Sequence, residues 1–151
     1  MARTARTEVL IRDEQDLLVD VSAIEQAAAL VLLCELGENA EECEVSIVLV
    51  DEPTIHGMNR AHRGVDRPTD VLSYSQTEPF AVHRGDLLGD VVLCPAVAVR
   101  RAQEEGRSPN REVLELVVHG VLHLIGYDDR SDAGRQAMLA RQALILQQMG
   151  A

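Results

Sequence analysis

The segment from Val113 to Ile125 constrains the fold most, because it is apolar on nearly every face of a helix. Ser108 is a good N-cap residue, and Pro109 follows at the first helical position, where its missing N–H costs no hydrogen bond. Gly126 ends the pattern. A helix that is apolar all round is buried on most sides. The sequence therefore predicts a central helix with the rest of the chain packed around it.

Capping and breaker residues predict four further helices. Ser22, with Glu25 three residues later, forms a capping box, and the helix that it begins ends at Gly37. The remaining three start at a capping residue or a proline and run from Asp51 to near Gly64, from Pro95 to about Glu105, and from Ser131 to about Gln148.

Four short segments rich in β-branched residues are predicted to be strands. They span residues 8–12, 43–50, 70–75 and 90–94. The stretch 76–85 contains Pro79 and Gly85 and is predicted to be a loop. Strands and helices in mixed order indicate an α+β fold, in which a mixed sheet of about four strands lies on one side and about five helices pack against it. The length of 151 residues suits a single domain over residues 1–151.

Charge and composition limit the partners that the chain can bind. The net charge is −11, and all 14 basic residues are arginine. Non-specific nucleic-acid binders are usually basic, so a large electrostatic footprint on nucleic acid is disfavoured. A small, local basic site is still compatible with this balance.

The lack of a recognisable signal peptide or membrane span, together with the cysteine pattern, predicts a cytoplasmic protein. The N-terminal MARTARTEVL lacks the apolar core of a signal peptide, and no apolar run approaches the roughly 18 residues of a membrane span. The three cysteines, Cys34, Cys43 and Cys94, are odd in number and lack CxxC spacing. We expect them to be reduced thiols buried in the core.

A pair of histidines on the central helix is the strongest chemical feature, in HGVLHLIGYDD (119–129). His119 and His123 are four residues apart and lie on one helix face, so both can reach one metal ion at the usual distance of roughly 2.0–2.1 Å. Gly126 lets the chain turn back, and Asp129 then supplies an oxygen; the offsets match the extended zinc motif of metzincin proteases. The alternative is two core histidines bonded to carbonyl groups, which suits two buried rings on one apolar face less well.

The residue after the first histidine argues against peptide hydrolysis. Metalloproteases with this spacing carry a glutamate there, which is the general base for the zinc-bound water. Here the position is Gly120. A metal ion could still lower the pKa of water at the site, but the adjacent base is missing.

Several segments resemble the YbeY family of bacterial rRNA maturation factors, which are also described as metal-dependent endoribonucleases. HGVLHLIGYD (119–128) is similar to the family signature H-G-x-L-H-L-x-G-Y-D-H. MNRAHRGVDRPTDVLSYS (58–75) resembles the family stretch with Asn, an Arg four residues later and then P-T-D-V-L-S. LGDVVL (88–93) resembles the family's L-G-D-I-x-I strand, so the likeness extends over nearly the whole chain.

The resemblance implies a zincin-like fold, one zinc ion per chain, and hydrolysis of single-stranded RNA. The implied role is maturation of the 3′ end of 16S rRNA and ribosome quality control, in the cytoplasm, with rRNA and the ribosome or its small subunit as partners and no membrane. His119 and His123 become the first two metal ligands, with His119 also counted as catalytic. Asp129 takes the third position, where the family usually has His, and Asp128 is a rival ligand for which a structural role is favoured. Because carboxylate is harder than imidazole, manganese, nickel or iron are alternative ions.

The resemblance also assigns Arg63 to the family's arginine, as a catalytic and phosphate-binding residue. A guanidinium pairs bidentately with phosphate and can stabilise charge in the transition state. Without the resemblance the sequence gives Arg63 no preference over Arg60, Arg67 or Arg84. Of the other histidines, which we place on the surface or in loops, His62 is adjacent to Arg63 and is the candidate for a substrate contact. The chain differs from the family pattern at a second place besides Asp129: it has Tyr74-Ser75 where the family prefers Phe-Pro.

Two alternative functions stay open at this point. One is a metallopeptidase-like hydrolase, against which Gly120 speaks. The other is a non-catalytic ribosome-assembly factor whose metal is structural. A coordination position left open would favour catalysis, whereas a fourth protein ligand would favour the structural role.

Overall fold

The computed structural model describes residues 7–150. In chain order its elements are β1 (Glu8–Glu14), α1 (Val21–Leu36), β2 (Glu44–Val50), α2 (Glu52–Arg63), β3 (Val71–Ser75), β4 (Leu87–Leu93), α3 (Pro95–Glu104), α4 (Pro109–Ile125) and α5 (Asp132–Gln148). A short 3₁₀ turn, Gly37–Ala40, joins α1 to β2 and was not predicted. The four strands and five α-helices of the described chain confirm the predicted α+β class.

The strands form one mixed sheet in the order β1-β2-β4-β3. β1, β2 and β4 run parallel, and β3 is antiparallel to β4. In the register, Ile11 pairs with Ile47, and Ile47 pairs with Val91. Val91 and Ile47 are fully buried, so this row of apolar side chains is the floor on which the helices pack.

The predicted central helix is confirmed, because α4 contacts α1, α3, α5, β3 and β4. Val117, Val118, Val121 and Leu122 on α4 are fully buried. This helix carries the histidine pair, so the candidate site is built on a helix that packs against the sheet and against three other helices.

The opposite face of the sheet is also covered, which differs from the expectation that the helices pack on one side. Ile55 of α2 is buried with Val48 and Val92, whose neighbours Ile47 and Val91 face the main core. Successive residues of a strand point to opposite faces, so α2 lies across the sheet from α4. α2 ends at Arg63, so Arg63 belongs to this second helical layer.

Most of the predicted caps are correct, but the start of α1 is not. The Asp20 carboxylate accepts a hydrogen bond from the Ala23 amide at 3.0 Å, so Asp20 is the N-cap and Ser22 lies inside the helix. β4 begins at Leu87, three residues earlier than predicted, and β1 extends two residues further, to Glu14. These strand ends are set by pairing with β2.

The cysteine prediction is confirmed for two of the three residues. Cys43 and Cys94 are buried free thiols, and burial raises the pKa of each. Cys34 is free but only partly buried. Across residues 7–150, no helix has the length and apolar character needed to cross a lipid bilayer.

Candidate metal centre and cleft

The structure brings His119, His123 and Asp129 together at the C-terminal half of α4. The two Nε2 atoms are 3.1 Å apart, and Asp129 Oδ2 lies 3.9 Å from each. Donors that surround one tetrahedral ion at roughly 2.0–2.2 Å are separated from one another by about 3.3–3.6 Å. The observed separations bracket that value, so these three side chains have the spacing of a metal-binding group.

Hydrogen bonds to the other ring nitrogens orient both imidazoles. His123 Nδ1 lies 2.9 Å from the Tyr127 carbonyl oxygen, and His119 Nδ1 lies 3.3 Å from Gln142 Oε1. Both partners are oxygens that accept, which assigns the ring proton to Nδ1 in each histidine. The unprotonated Nε2 atoms therefore face each other and the Asp129 carboxylate. Three electron-pair donors in such close contact repel one another, and a cation among them removes that repulsion.

The protonation state of His119 also suits a metal ligand. Burial lowers the pKa of His119, and the repulsion that would arise if both His119 and His123 were protonated lowers it further. The ring is therefore neutral near pH 7, which is the form that binds metal ions. The His/Asp group can thus hold a metal ion without first losing a proton from this residue.

Tyr127 fixes the turn that follows α4. Its hydroxyl donates to Glu35 Oε1 at 2.6 Å, and the buried Glu35 carboxylate also pairs with Arg141 of α5. Gly126 has φ of 139°, and a Cβ there would lie 2.7 Å from the Phe80 nitrogen. The turn that carries Asp129 is therefore anchored on α1 and α5, as expected for residues that support a metal ligand from outside its coordination sphere.

Asp128 has different surroundings from Asp129. Its Oδ1 accepts a hydrogen bond from the Arg130 amide at 3.1 Å, and its Oδ2 lies 3.3 Å from Arg130 Nη2. The backbone hydrogen bond from Arg130 lowers the pKa of the Asp128 carboxyl. Asp128 does not belong to the three-donor group. Its contacts are those of a turn-stabilising residue.

A cleft of about 550 Å³ opens in front of the three donors. Arg63 and His62, at the end of α2, line the same cleft, together with Ser73 and Tyr74 of β3. Arg60 and Arg67 do not line it, and Arg84 pairs with Glu41 at 3.1 Å. The structure thus separates Arg63 from the three arginines that sequence alone could not distinguish from it.

The remaining histidines have the positions that were expected of them. His56 Nε2 lies 2.8 Å from Asp66 Oδ1 on the surface, and the His83 side chain is 78% exposed. Neither residue lines the cleft.

Sequence reasoning missed Asp70, Gln142 and Glu35. Asp70 is 8% exposed, lines the cleft and pairs with Arg101 of α3. Its only sequence signal was its position in the PTDVLS segment, where it was assigned to the start of a strand. Gln142 and Glu35 lie on α5 and α1 and have no motif that could have identified them.

Comparison with known proteins decides the family. The family described as endoribonuclease YbeY matches residues 10–150. The chain belongs to the YbeY family. A relative named Endoribonuclease YbeY from Moorella thermoacetica is 44% identical, over 90% of this chain and 88% of that protein. A relative of the same name from Chloroflexus aggregans is 39% identical, over 97% of both chains.

The fold is also similar to a solved structure. The solution structure of TM1509 from Thermotoga maritima matches with a TM-score of 0.63 and 28% identity, over 91% of this chain and 85% of that one. The expected likeness to YbeY proteins, and the α+β architecture that it implied, are therefore confirmed. The family is described as endoribonucleases, which are hydrolases that cut RNA. The cleft described above is therefore that of a member of a hydrolase family.

Packing explains why a peptidase base is missing from this YbeY chain. A Cβ at Gly120 would lie 2.6 Å from Val91 Cγ1 and 3.3 Å from Ser73 Oγ. The Ser73 hydroxyl also donates to the Gly120 carbonyl at 3.1 Å. α4 therefore lies directly against β3 and β4 at this residue. A glutamate there would collide with the sheet and could not serve the metal centre.

Gly120→Ala is expected to destabilise the fold by about 1–3 kcal/mol, because the added methyl group overpacks a buried contact with Val91. Chemical denaturation monitored by circular dichroism measures this change. Gly57→Ala is the matched control, since Gly57 lies in α2 and an added Cβ meets nothing within 4 Å. That control should be more stable than the parent by about 0.5–1 kcal/mol. Equal stability of the parent and Gly120→Ala would contradict the packing argument.

Proposed function

We propose that this YbeY chain is a metal-dependent endoribonuclease that cuts single-stranded RNA, in a single domain over residues 1–151. The observation that carries the proposal is one cleft that contains both the three-donor group and Arg63. A metal site beside a free guanidinium suits a phosphodiester, because both groups stabilise negative charge on phosphate oxygens.

His119, His123 and Asp129 are the proposed metal ligands. Zinc, at one ion per chain, suits two imidazole nitrogens and a carboxylate, with manganese, nickel or iron as alternatives. Zinc bound there supplies Lewis-acid polarisation of a phosphate oxygen and a lower pKa for water. His119 would be catalytic as a ligand of this ion, which would polarise the phosphate. Gln142 and the Tyr127 carbonyl keep the two imidazoles aimed at it.

Arg63 is the proposed phosphate-binding and catalytic side chain. Arg60, Arg63 and Arg67 form no ion pair with any other residue of 7–150, whereas most arginines of this acidic chain pair with carboxylates. They provide the small, local basic site that a net charge of −11 still allows. Only Arg63 of these three lines the cleft, which supports our assignment of Arg63 to the scissile phosphate. His62, adjacent to it, contacts the substrate.

The proposed cellular role is maturation of the 3′ end of 16S rRNA and ribosome quality control, in the cytoplasm. Its partners are rRNA and the ribosome or its small subunit. The metallopeptidase alternative is disfavoured by the packing of Gly120 and by the RNA-cutting activity named in the relatives. A purely structural metal is disfavoured because no fourth His, Cys, Asp or Glu joins the group within residues 7–150. Three protein ligands leave a coordination position for substrate.

Arg63→Ala is expected to slow cleavage of single-stranded RNA by about 100- to 1,000-fold, the usual cost of losing one transition-state donor. The fold and the metal content should not change, because the Arg63 side chain is exposed and forms no hydrogen bond or ion pair with another described residue. A gel-based cleavage assay with a labelled oligonucleotide measures the rate.

Arg60→Ala is the matched control for this experiment. Arg60 lies three residues earlier on α2, its side chain is also exposed and forms no ion pair with a described residue, and it lies outside the cleft. Its cleavage rate should stay close to that of the parent. If Arg63→Ala cuts as fast as Arg60→Ala, Arg63 has no part in the reaction. Faster turnover of casein than of RNA by the parent would instead support the peptidase alternative.

A further inference from the structure

The cleft contains two aromatic rings whose contact with each other the proposed chemistry does not explain. His62 and Tyr74 meet edge to face, with ring centroids 5.3 Å apart and planes at 88°. The Tyr74 hydroxyl lies 2.8 Å from His62 Nδ1. Both residues line the cleft together with Arg63 and the metal-binding group. The hydrogen bond holds the two rings in one arrangement although His62 is exposed.

Tyr74 is held in place by the pairing of β3 with β4. Tyr74 pairs with Asp90 in the antiparallel register of β3 and β4. β4 approaches so closely that a Cβ on Gly89 would lie 2.0 Å from the Tyr74 carbonyl oxygen. Sites built on strands are positioned more accurately than sites on loops. The ring is therefore preorganised for contact with a ligand.

The position of this ring is unusual for the chain. Only one Phe and two Tyr occur in 151 residues, with no Trp. Phe80 and Tyr127 pack against each other, with ring centroids 5.0 Å apart. Tyr74 is thus the one aromatic residue of the three that lines the cleft. It also lies near Arg63, whose positive charge acts on the Tyr74 hydroxyl.

From this arrangement we infer that the His62–Tyr74 pair is a stacking subsite for an unpaired nucleobase next to the phosphate bound by Arg63. Bases of single-stranded RNA stack on aromatic side chains, whereas bases inside a duplex already have neighbours on both faces. The subsite would therefore select single-stranded substrate. This inference rests on the proposed function, since it assigns a second contact in the same cleft.

Tyrosine fluorescence can test the subsite directly. The chain has two tyrosines and no Trp, and Tyr127 supports the turn that carries Asp129, so Tyr127 is left unchanged and the Tyr74 emission is taken as the difference between the parent and Tyr74→Phe. The probe is a six-nucleotide single-stranded RNA with hydrolysis-resistant phosphorothioate linkages. Binding should quench the Tyr74 emission in a saturable way. A companion set of oligonucleotides, each abasic at one position, should include one member that binds about tenfold more weakly, because base stacking contributes about that factor.

Substitutions at Tyr74 then separate the ring from the hydroxyl. In the otherwise unchanged chain, binding of a labelled probe followed by anisotropy should weaken about tenfold for Tyr74→Leu, and the sensitive abasic position should have no further effect there. Tyr74→Phe keeps the ring and should bind within about twofold of the parent. Phe80→Leu, which removes an exposed aromatic ring outside the cleft, should bind like the parent. His62→Ala should weaken binding while leaving the exposed end of α2 folded.

The outcomes also distinguish this inference from the proposed function. Parent-like affinity of Tyr74→Leu, with the parent still cutting unmodified RNA, would overturn the subsite and leave the nuclease intact. Base-dependent quenching by a parent protein that cuts no RNA would support the subsite and refute the proposed activity. Equal affinity for all abasic probes would overturn the subsite, because no base would then contribute to binding.

Discussion

A variant with both His119→Ala and His123→Ala is expected to lose its metal ion and its RNA cleavage. The parent should contain about one ion per chain, held by two imidazoles and one carboxylate. In the variant only Asp129 is left, and its side chain is 50% exposed. Loss of one supporting group outside the coordination sphere already costs about 10- to 100-fold in metal affinity or activity, so loss of two ligands should exceed that range. Elemental analysis and a cleavage assay on the same preparation measure both effects.

The matched control exchanges two histidines that have no contact with the site. His56→Ala with His83→Ala removes the same number of imidazoles from exposed positions. It should keep its ion and its cleavage rate. A full complement of metal in the His119/His123 variant would refute the assigned metal centre. Equal losses in both variants would show that histidine content in general, and not this site, determines metal binding.

Features that depend on a few neighbouring residues were predictable from the sequence. The caps at Asp51, Ser108 and Ser131 were identified because each side chain bonds an amide three residues later. The placement of His119 and His123 on one face of α4 was also predictable, because helix geometry alone brings residues four apart to the same face. Both predictions needed no knowledge of the rest of the chain.

Features that depend on a choice between two capping residues, or on pairing between strands, were predicted less well. Asp20 and Ser22 are both good caps, and sequence cannot show which one the entering chain aligns with the free amides. The early start of β4 follows from pairing across the sheet: Leu87 is opposite Glu44, and Gly89 continues the strand after an irregularity in the register. A search for β-branched residues cannot detect such an extension, because Leu87 and Gly89 are not β-branched.

The residues that support the candidate metal centre were not predictable at all. Gln142 reaches His119 from 23 residues away, and Glu35 reaches Tyr127 from 92 residues away. In the sequence, neither Gln142 nor Glu35 differs from the many other polar residues of the predicted helices. Arg63 is an intermediate case, since only the family resemblance selected it and only the fold shows that it lines the same cleft as His119. The chemistry of the site was therefore visible in sequence, whereas the geometry that supports it was not.

The proposed third ligand, Asp129, provides the sharpest test, because the family resemblance leads us to expect a histidine at this position. Asp129→Ala leaves two imidazoles, which are too few to hold zinc tightly, and metal affinity should fall by at least about 10- to 100-fold. Asp129→His restores a site of three neutral nitrogens. Because imidazole is softer than carboxylate, that variant should prefer zinc over manganese more strongly than the parent does. Titration of each variant with zinc and with manganese in one buffer measures both affinities.

Asp128→Ala is the matched control, since it removes the neighbouring carboxylate from the same turn. Asp128 bonds the Arg130 amide and side chain, so its loss should lower the Tm more than the metal affinity. Asp129 makes no such backbone contact and lies 3.9 Å from both Nε2 atoms. Its loss should therefore lower the metal affinity more than the Tm. If Asp128→Ala loses the ion while Asp129→Ala keeps it, the two aspartates have exchanged roles, and the turn must close on the metal through Asp128.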